Sequence, residues 1–512
     1  MTWPAVALQV AYFTVLSLLA IYGLHRLSLV WIYLRRRGGE PSGRATGRGA
    51  ANPWPPVTVQ LPIYNEYYVV ERLIEAACAL RYPAGLIEIQ LLDDSTDATS
   101  ALAARLVASY RARGHDIHHI RRAGRDGYKA GALAGGLAAS RGELIAIFDA
   151  DFIPPVDFLE TVVPRFAGPD ADPRLGMAQA RWGHTNRDDS LLTRAQALLL
   201  DGHFVVEHGA RDAAGRFLNF NGTAGVFRRR CIEEAGGWQA DTLTEDLDLS
   251  YRAQLAGWRF EYLPQVVVPA ELPVELNALK SQQHRWAKGS IQTAMKLLRR
   301  LLTSPLPLAV RLEALAHLTN NAAYLLLAIL AVLIVPALAA RGEAARVLLP
   351  LDLVLFLVGT GSFALFCAVA QHRTRPDWPR ALLGLPSLMA IGIGLSLNNG
   401  LAVIEALCGR RSEFHRTPKF GLEGGDGRRD GAPWRRLAYR GPRSALVLLE
   451  GAFALYFAGA VAYAAQQRWY AALPFLVLFA GGFLFVTGLS VTQEMSRLFK
   501  APPARPEEAP AP

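Results

Sequence analysis

Long apolar runs lie at both ends of the chain and enclose a segment of mixed polarity. The first run extends from about Val6 to Leu34, and Arg35, Arg36 and Arg37 follow it directly. It exceeds the roughly 20 residues that cross a bilayer as a helix. Because it lacks a basic n-region and an obvious cleavage site, the pattern predicts a signal anchor rather than a cleaved signal peptide. The positive-inside rule then places the amino terminus outside and the three arginines in the cytoplasm.

Five further apolar runs follow in the second half of the chain, and each is long enough to span. They are Leu318–Ala340, Val347–Ala370, Ala381–Leu407, Ser444–Ala464 and Ala471–Ser490. The loop 409–443 carries ten Lys or Arg residues against four acids, which predicts a cytoplasmic loop, whereas one crossing per run would place it outside. The third run contains Asn398, Asn399 and Glu405. The helix count and the charge rule agree if part of that run lies in the membrane plane or re-enters it. We therefore follow the charge rule and expect a cytoplasmic loop.

The segment from Val57 to about Arg300 alternates between strand and helix patterns. The predicted strands are Val57–Leu61, Ile87–Leu92 and Leu144–Phe148. The predicted helices are Ala98–Arg113, Tyr128–Ser140 and an earlier one that Asn65 caps and that ends at Leu80. This β-α-β alternation indicates an α/β domain with a mainly parallel sheet, inserted between transmembrane helices. Functional groups of such sheets collect at the carboxyl ends of the strands.

The predicted organisation has seven parts. They are the anchor 1–37, a Gly/Arg/Pro-rich linker 38–56, the α/β domain 57–300, an interfacial helix with transmembrane helices 301–408, the basic loop 409–443, a transmembrane hairpin 444–498 and a disordered tail 499–512. Hydrophobic residues make up 51 % of the chain and charged residues 19 %, which excludes disorder over most of its length. The net charge of +10 lies largely beside apolar runs and therefore indicates a membrane surface, not nucleic acid. Four widely spaced cysteines give little support to a disulfide scaffold or a zinc site.

Two pairs of aspartates come directly after predicted strands. Asp93 and Asp94 end one strand; they are candidates to bind a nucleotide, or they form a polar turn that caps the next helix. Asp149 and Asp151 follow the next buried strand at a spacing of two, so both carboxylates can face one cation. Mg²⁺ commonly uses one or two carboxylates together with substrate phosphates, so this pair predicts a metal bound to a diphosphate.

Glu245 and Asp246 open a predicted helix after Thr244. They are either first-turn acids that stabilise the helix start or candidate catalytic carboxylates, one a general base for an acceptor hydroxyl. Lys129 begins another predicted helix and could neutralise a phosphate, although surface lysines are common. The segment 221–225 suits a close backbone approach to a ligand, or is a simple turn.

Gln282, Arg285 and Trp286 share one face of a predicted helix. A guanidinium beside an indole can hold a leaving pyrophosphate while the ring stacks on a sugar; a packed Trp with a surface Arg is the alternative. The following residues, Ile291–Leu302, form a basic amphipathic pattern that is typical of an interfacial helix.

In this order these motifs resemble the family 2 processive glycosyltransferases, which include the cellulose, hyaluronan and chitin synthases. The resemblance covers residues 52–300 and is strongest to mannan and glucomannan synthases and their bacterial relatives. It rests on residues 61–66, 128–133, 179–182, 220–226 and 282–286. It implies the GT-A fold, a nucleotide-sugar donor and Mg²⁺ or Mn²⁺.

The resemblance also implies roles for single residues. The implied donor-binding residues are Asp93, Asp94, Lys129, Asp149 and Arg285. The implied metal ligands are Asp149 and Asp151, and the implied catalytic residues are Asp246 as base, Glu245 and Arg285. The implied acceptor-binding residues are Gln282, Trp286, Asn221, Gly222 and Thr223. Phe414, Thr417 and Lys419 match a family loop that closes over the donor, with Arg416 where the family usually has Val.

The resemblance therefore implies a multi-pass membrane enzyme with a cytoplasmic catalytic domain, and the Ala/Arg-rich composition suggests a bacterial inner membrane. We expect an inverting hexosyltransferase that uses GDP-mannose or UDP-glucose and extends a β-glycan processively, with translocation of the polymer. Two alternatives stay open: transfer of a single sugar to a membrane lipid, and a non-catalytic membrane scaffold or transporter.

Overall fold

We analysed the fold in a computed structural model, which describes residues 2–35, 54–168, 171–410, 412, 414, 416–422 and 444–498. Most of the predicted linker, the larger part of the basic loop, Arg36, Arg37 and the predicted tail 499–512 lie outside these residues.

A seven-stranded sheet forms the centre of the α/β domain. Its strands are β1 (Val57–Ile63), β2 (Ile87–Asp93), β3 (Ile117–Arg121), β4 (Leu144–Ile147), β5 (Leu175–His184), β6 (Gly225–Arg228) and β7 (Arg259–Ala270). Their order is β3-β2-β1-β4-β6-β5-β7, and only β6 runs antiparallel to its neighbours. The predicted mainly parallel sheet is therefore confirmed. Val59, Leu61 and Ile63 alternate along β1 and belong to the apolar core on one face of the sheet.

Ten helices accompany the sheet in the described part of this domain. They are α2 (Val70–Cys78), α3 (Thr99–Ala112), α4 (Tyr128–Ala139), α5 (Phe158–Val162), α6 (Leu191–Asp201), α7 (Gly209–Ala213), α8 (Arg229–Glu234), α9 (Glu245–Leu255), α10 (Leu276–Leu302) and α11 (Leu308–Thr319). A π-helical turn, Gly202–His208, joins α6 to α7. The prediction that Asn65 caps the first of these helices is wrong, because α2 begins only at Val70. Asn65 instead accepts a hydrogen bond from the Thr96 N–H at 2.8 Å and so links the ends of β1 and β2.

The membrane region consists of apolar helices before and after the α/β domain. They are α1 (Trp3–Arg35), α12 (Ala322–Ala339), α13 (Ala345–Phe356), α14 (Ser362–Thr374), α15 (Trp378–Ala381), α16 (Leu385–Gly394), α17 (Ser396–Leu407), α18 (Val447–Gln466) and α19 (Leu473–Leu498). Among the described residues, five helical stretches are long and apolar enough to cross a membrane, and α13 and α14 form one of them. A sixth stretch, 378–407, is bent by 43° after Gly394, where the sequence predicts an irregular span.

Helix α10 connects the α/β domain to the membrane helices. The Lys280 ammonium on α10 lies 2.6 Å from the Glu450 carboxylate on α18 and donates to Ser490 on α19 at 3.0 Å. Asn398 on α17 donates to the Lys280 carbonyl at 3.0 Å. Buried polar groups therefore hold the α/β domain against three membrane helices.

Candidate functional site

The carboxyl ends of β1, β2 and β4 meet at the mouth of one large cavity. The cavity has a volume of about 710 Å³ and continues from these strand ends into the membrane helices. Its polar part is lined by most of the residues predicted for the site: Asp94, Lys129, Asp149, Asp151, Asn221, Gly222, Glu245, Asp246, Gln282, Arg285, Trp286, Phe414, Thr417 and Lys419. The structure thus brings together residues that are up to 325 positions apart.

A lysine neutralises each of the two aspartates after β4. The Lys129 ammonium lies 2.6 Å from Asp149 Oδ1, and the Lys419 ammonium lies 2.5 Å from Asp151 Oδ1. Burial alone would lower the pKa of Lys129, but Asp149 and Glu245 outweigh it and raise that pKa. The two carboxylates therefore face the cavity as charged, cation-binding groups.

These two carboxylates fit a hard divalent cation that arrives with a diphosphate. In the part of the chain that the structure describes, no group of three or more His, Cys, Asp or Glu residues is placed to hold a metal alone. A protein that supplies only two carboxylates leaves the other positions to phosphate oxygens and water, as Mg²⁺ and Mn²⁺ accept. Asp149 and Asp151 are the residues that would hold it.

Asp246 and Glu245 lie at the start of α9, beside the Lys129–Asp149 pair. Burial, together with the neighbouring Glu245 carboxylate, raises the pKa of Asp246 to about 7. Burial also raises the pKa of Glu245. The backbone at Gly222 has φ +81°, and its carbonyl accepts a hydrogen bond from the Lys129 ammonium at 2.8 Å. A carboxylate with a pKa near neutrality is suited to take a proton from a hydroxyl.

Helix α10 carries Gln282, Arg285 and Trp286 to the wall of the same cavity. The Arg285 guanidinium lies 4.6 Å from the centre of the Phe414 ring, a cation–π contact. Burial lowers the pKa of Arg285, while Glu245 and Asp149 favour its charged form. The guanidinium therefore adds a fixed positive charge to the carboxylate side of the cavity.

The described residues of the segment 414–422 line the cavity or lie beside it, and they make several sets of contacts there. Phe414 stacks on Tyr128 with ring centres 5.6 Å apart, and Arg416 pairs with Glu66 at 3.1 Å. Lys419 pairs with Asp151, and the backbone N–H groups of residues 420–422 donate to the Glu271 carboxylate at 2.8 to 3.2 Å. This part of the basic loop is therefore on the same side of the helices as the catalytic domain, in agreement with the charge argument.

Two of the predicted ligand contacts need correction. Asp93 is fully buried and bonded to the ring of His119 and to the Ser95 N–H, at 2.8 and 2.7 Å. Burial favours its neutral form, but these hydrogen bonds outweigh burial and lower its pKa to about 2. Thr223 is also fully buried, and its hydroxyl accepts from the Asp149 N–H at 2.8 Å. Both side chains therefore bond neighbouring protein groups and do not line the cavity. Asp94, which pairs with Arg122, does line it.

Sequence reasoning missed several residues that line the cavity. Glu66 follows β1 as the aspartates follow their strands, so the strand-end argument could have identified it. Arg125 lies 3.4 Å above the Tyr64 ring beside Asp94, and no spacing in the sequence indicates that contact. Glu271 follows β7 directly; burial raises its pKa to about 7, with Asp151 as the next cause.

Comparison with known proteins supports this description. The family model described as "Glycosyltransferase like family 2" matches residues 55–289. A probable glucomannan 4-beta-mannosyltransferase 6 of Oryza sativa subsp. japonica is 43 % identical over 271 residues, which are 52 % of this chain and 45 % of that protein. Glucomannan 4-beta-mannosyltransferase 9 of Arabidopsis thaliana is 42 % identical over 255 residues, 49 % of this chain and 47 % of that protein. The matched region thus spans about half the length of these curated relatives.

Among solved structures, the mannosyltransferase PcManGT from Pyrobaculum calidifontis, in complex with GDP-Man and Mn²⁺, has a TM-score of 0.54 and 21 % identity. The match covers 80 % of this chain and 99 % of that one. This likeness confirms the GT-A fold predicted from the sequence. Residues 55–289 of this chain are therefore similar to the glycosyltransferase-like family 2.

Proposed function

We propose that the chain is a membrane-bound, metal-dependent mannosyltransferase that transfers mannose from GDP-mannose to a growing β-glycan with inversion. The observation that carries the proposal is the group formed by Asp246, Lys129 and Asp149 around the Gly222 carbonyl, at the mouth of the cavity. The curated relatives are named as glucomannan mannosyltransferases, and the solved neighbour was obtained with GDP-Man. These names favour mannose and guanine over the UDP-glucose alternative.

In this mechanism Asp246 removes the proton from an acceptor hydroxyl while its oxygen attacks the anomeric carbon of the donor. The new glycosidic bond forms as the bond to the diphosphate oxygen breaks, so GDP leaves and the proton stays on Asp246. A single displacement inverts an α-linked donor to a β-linked product. Because the anomeric centre becomes oxocarbenium-like, a nearby carboxylate stabilises it as well.

The departing diphosphate gains negative charge, and this chain supplies cations to meet it. Arg285 and Lys129 stand at fixed positions in a buried site, where electrostatic stabilisation is stronger than in water. A divalent cation bound by Asp149 and Asp151 would add Lewis-acid stabilisation of the phosphate oxygens. The segment 414–422 would exclude water while the donor is bound.

The continuation of the cavity between membrane helices supports processive extension with export. Beyond the carboxylates its walls carry Tyr22, Tyr324, Phe356 and Phe363 from four membrane-region helices. Aromatic rings stack on sugar faces, and the wall offers a path along which a glycan could advance by one residue per transfer. We place the catalytic domain in the cytoplasm of a bacterial cell, at the inner membrane, because Arg35 and the basic loop lie on its side.

The same apolar walls also favour the second candidate, transfer of one mannose to a lipid. Leu327, Leu330 and Ile393 line the membrane part of the cavity and would suit an acyl or polyprenyl chain. The two candidates share the catalytic group and differ in product size.

The catalytic proposal is tested with the full chain in detergent, Mn²⁺ and labelled GDP-mannose. We expect Asp246→Asn to lower transfer by at least roughly 100-fold, the scale of general-base loss, while GDP binding persists. Asp212→Asn is the matched control: burial raises the pKa of Asp212 to about 6, but it lies outside the cavity. Transfer retained by Asp246→Asn would remove Asp246 as the base.

Product size and donor choice are read from the same assay. Labelled GDP-mannose and UDP-glucose are offered in parallel, and the product is sized before and after β-mannanase or β-glucanase. A long polymer cut by β-mannanase supports the main proposal. One sugar on a co-purified lipid supports the second candidate, and turnover with UDP-glucose alone would overturn the choice of donor.

A further inference from the structure

The π-helical turn Gly202–His208 holds the side chain of Asn221 from two sides. The His203 Nε2 atom lies 2.9 Å from Asn221 Oδ1, and the Asn221 Nδ2 group lies 3.0 Å from His208 Nε2. In an α-helix, residues five apart point roughly 140° away from each other. The i→i+5 bonding of a π-helix brings them to one face, and such turns occur frequently at functional sites. The unusual turn is what lets both histidines reach one amide.

Both ring nitrogens of His203 have a hydrogen-bond partner. The Nδ1 atom lies 2.8 Å from the Glu207 carboxylate. The Nε2 atom faces the side-chain oxygen of Asn221, which also receives the Asn219 amide at 2.9 Å. The ring is therefore held between Glu207 and Asn221. Burial lowers the pKa of His208 well below its usual range, so His208 accepts the remaining Asn221 amide hydrogen.

Asn221 links the two histidines to the residues that surround Gly222. Its backbone N–H donates to the Gln179 side chain at 3.0 Å. The carbonyl of the next residue, Gly222, accepts from Lys129, which in turn neutralises Asp149. A change at the Asn221 side chain therefore moves the turn that positions Lys129 and that faces Asp246.

We propose that His203 is a positioning residue of the transfer reaction: its ring, held by Glu207, fixes Asn221 and thereby the Gly222 carbonyl and Lys129. The inference rests on the proposed function, since it concerns the rate of the same transfer.

Several charged or titratable groups surround the His203 ring. Glu207, His208 and Arg211 belong to the same segment, His317 faces it from α11, and Arg26 approaches Glu207 from α1. Glu207 is the carboxylate that contacts the ring. Burial opposes its charge, yet the His203 hydrogen bond and Arg211 outweigh burial and lower the pKa of Glu207.

The test measures kcat and KM for GDP-mannose with the full chain in detergent. His203→Ala should lower kcat roughly 10- to 100-fold with KM within about twofold, because misplacement affects the rate more than donor binding. His203→Gln keeps an amide group that can bond Asn221, so it should retain a larger part of kcat than His203→Ala.

His118→Gln is the matched control, because His118 also bonds an aspartate, Asp116, at 2.8 Å but lies on β3 outside the cavity. It should keep the wild-type kcat and KM, and GDP binding reports whether each variant is folded. A wild-type kcat in His203→Ala, or a kcat that His203→Gln does not partly restore, overturns the positioning role alone. A wild-type chain that transfers no sugar from any nucleotide donor overturns the proposed function and the inference with it.

Discussion

At the scale of single residues, the site depends on a glycine that stands between opposite charges. A Cβ added at Gly222 would lie 2.9 Å from Asp246 Oδ2 and 3.4 Å from the Lys129 ammonium. Its positive φ adds a second constraint, because side-chain-bearing residues rarely adopt that conformation. Gly222 is thus required both for its backbone conformation and for the space that it leaves.

Gly222→Ala should therefore lower transfer by roughly 100-fold, since even a 1 Å displacement of catalytic groups has an effect of that size. The comparison variant is Gly215→Ala: Gly215 also has a positive φ, +60°, but nothing lies within 4 Å of its added Cβ. Both variants should lose about 1 kcal/mol of stability. Only Gly222→Ala should lose activity, and equal activities would show that the space around Gly222 has no catalytic importance.

The second prediction at this scale concerns pH. In the proposed mechanism Asp246 acts as a base only when it is deprotonated, so kcat/KM should fall as the pH drops below about 7. Burial and the Glu245 carboxylate together cause that high pKa. Glu245→Gln removes the neighbouring charge, so the acid limb of the pH profile should move to lower pH. An acid limb that stays near pH 7 would mean that Glu245 does not set the pKa of Asp246.

Single residues also show where sequence reasoning ends. The strand-end rule led to Asp94, Asp149 and Asp151, because carboxyl ends of parallel strands meet at one edge. It could not separate Asp93 from Asp94, although adjacent residues on a strand point to opposite faces. Asp93 does not line the cavity because its carboxylate bonds His119 and the Ser95 N–H. The sequence indicates neither of these partners.

At the scale of elements, the segment 414–422 brings an ammonium to the same carboxylate that a metal would use. Lys419 can be assigned to the loop from sequence, but its pairing with Asp151 joins positions more than 260 residues apart. The π-helical turn is hidden for another reason: its apolar pattern continues that of α6, and hydrophobic periodicity does not report the change of hydrogen bonding.

Lys419→Met should tighten Mn²⁺ binding about tenfold, equivalent to about 1.4 kcal/mol, because Asp151 would lose its counter-ion. Electron paramagnetic resonance of free Mn²⁺ measures this in the full chain without a donor. Lys296→Met serves for comparison, since Lys296 pairs with Asp241 and Asp248 away from the cavity. Unchanged or weaker Mn²⁺ binding in Lys419→Met would show that the two cations do not compete.

At the scale of the whole molecule, the catalytic domain and the membrane helices are joined by buried charges. The apolar runs of the sequence predicted the membrane helices, and the bend after Gly394 lies in the run whose polar residues had indicated an irregular span. The partners across the junction could not be predicted, because Lys280 and Glu450 each resemble an ordinary charge beside an apolar run. Only the docked helices show that these two residues meet.

Breaking this junction should be costly. Lys280→Met leaves the Glu450 carboxylate buried without a cation, which should destabilise the chain by about 3–5 kcal/mol, and Lys280→Met with Glu450→Gln should recover part of that loss. Arg81→Met breaks the exposed Arg81–Glu160 pair and should cost less than about 1 kcal/mol. Thermal unfolding in detergent compares them, and equal melting temperatures would rule out a stabilising junction.

The partners of the first helix have a consequence for how the molecule is made. Gln9 donates to the Ala337 carbonyl, and Tyr22 bonds Thr319, so α1 meets these neighbours only after about 300 further residues. At roughly 5–20 residues per second, the ribosome needs about 15–60 s to supply them. During that interval the α/β domain emerges from the ribosome and can fold. The face of α1 that packs against these neighbours remains without them until they have been synthesised. All seven strands of the sheet are thus synthesised before the later helices that enclose its cavity.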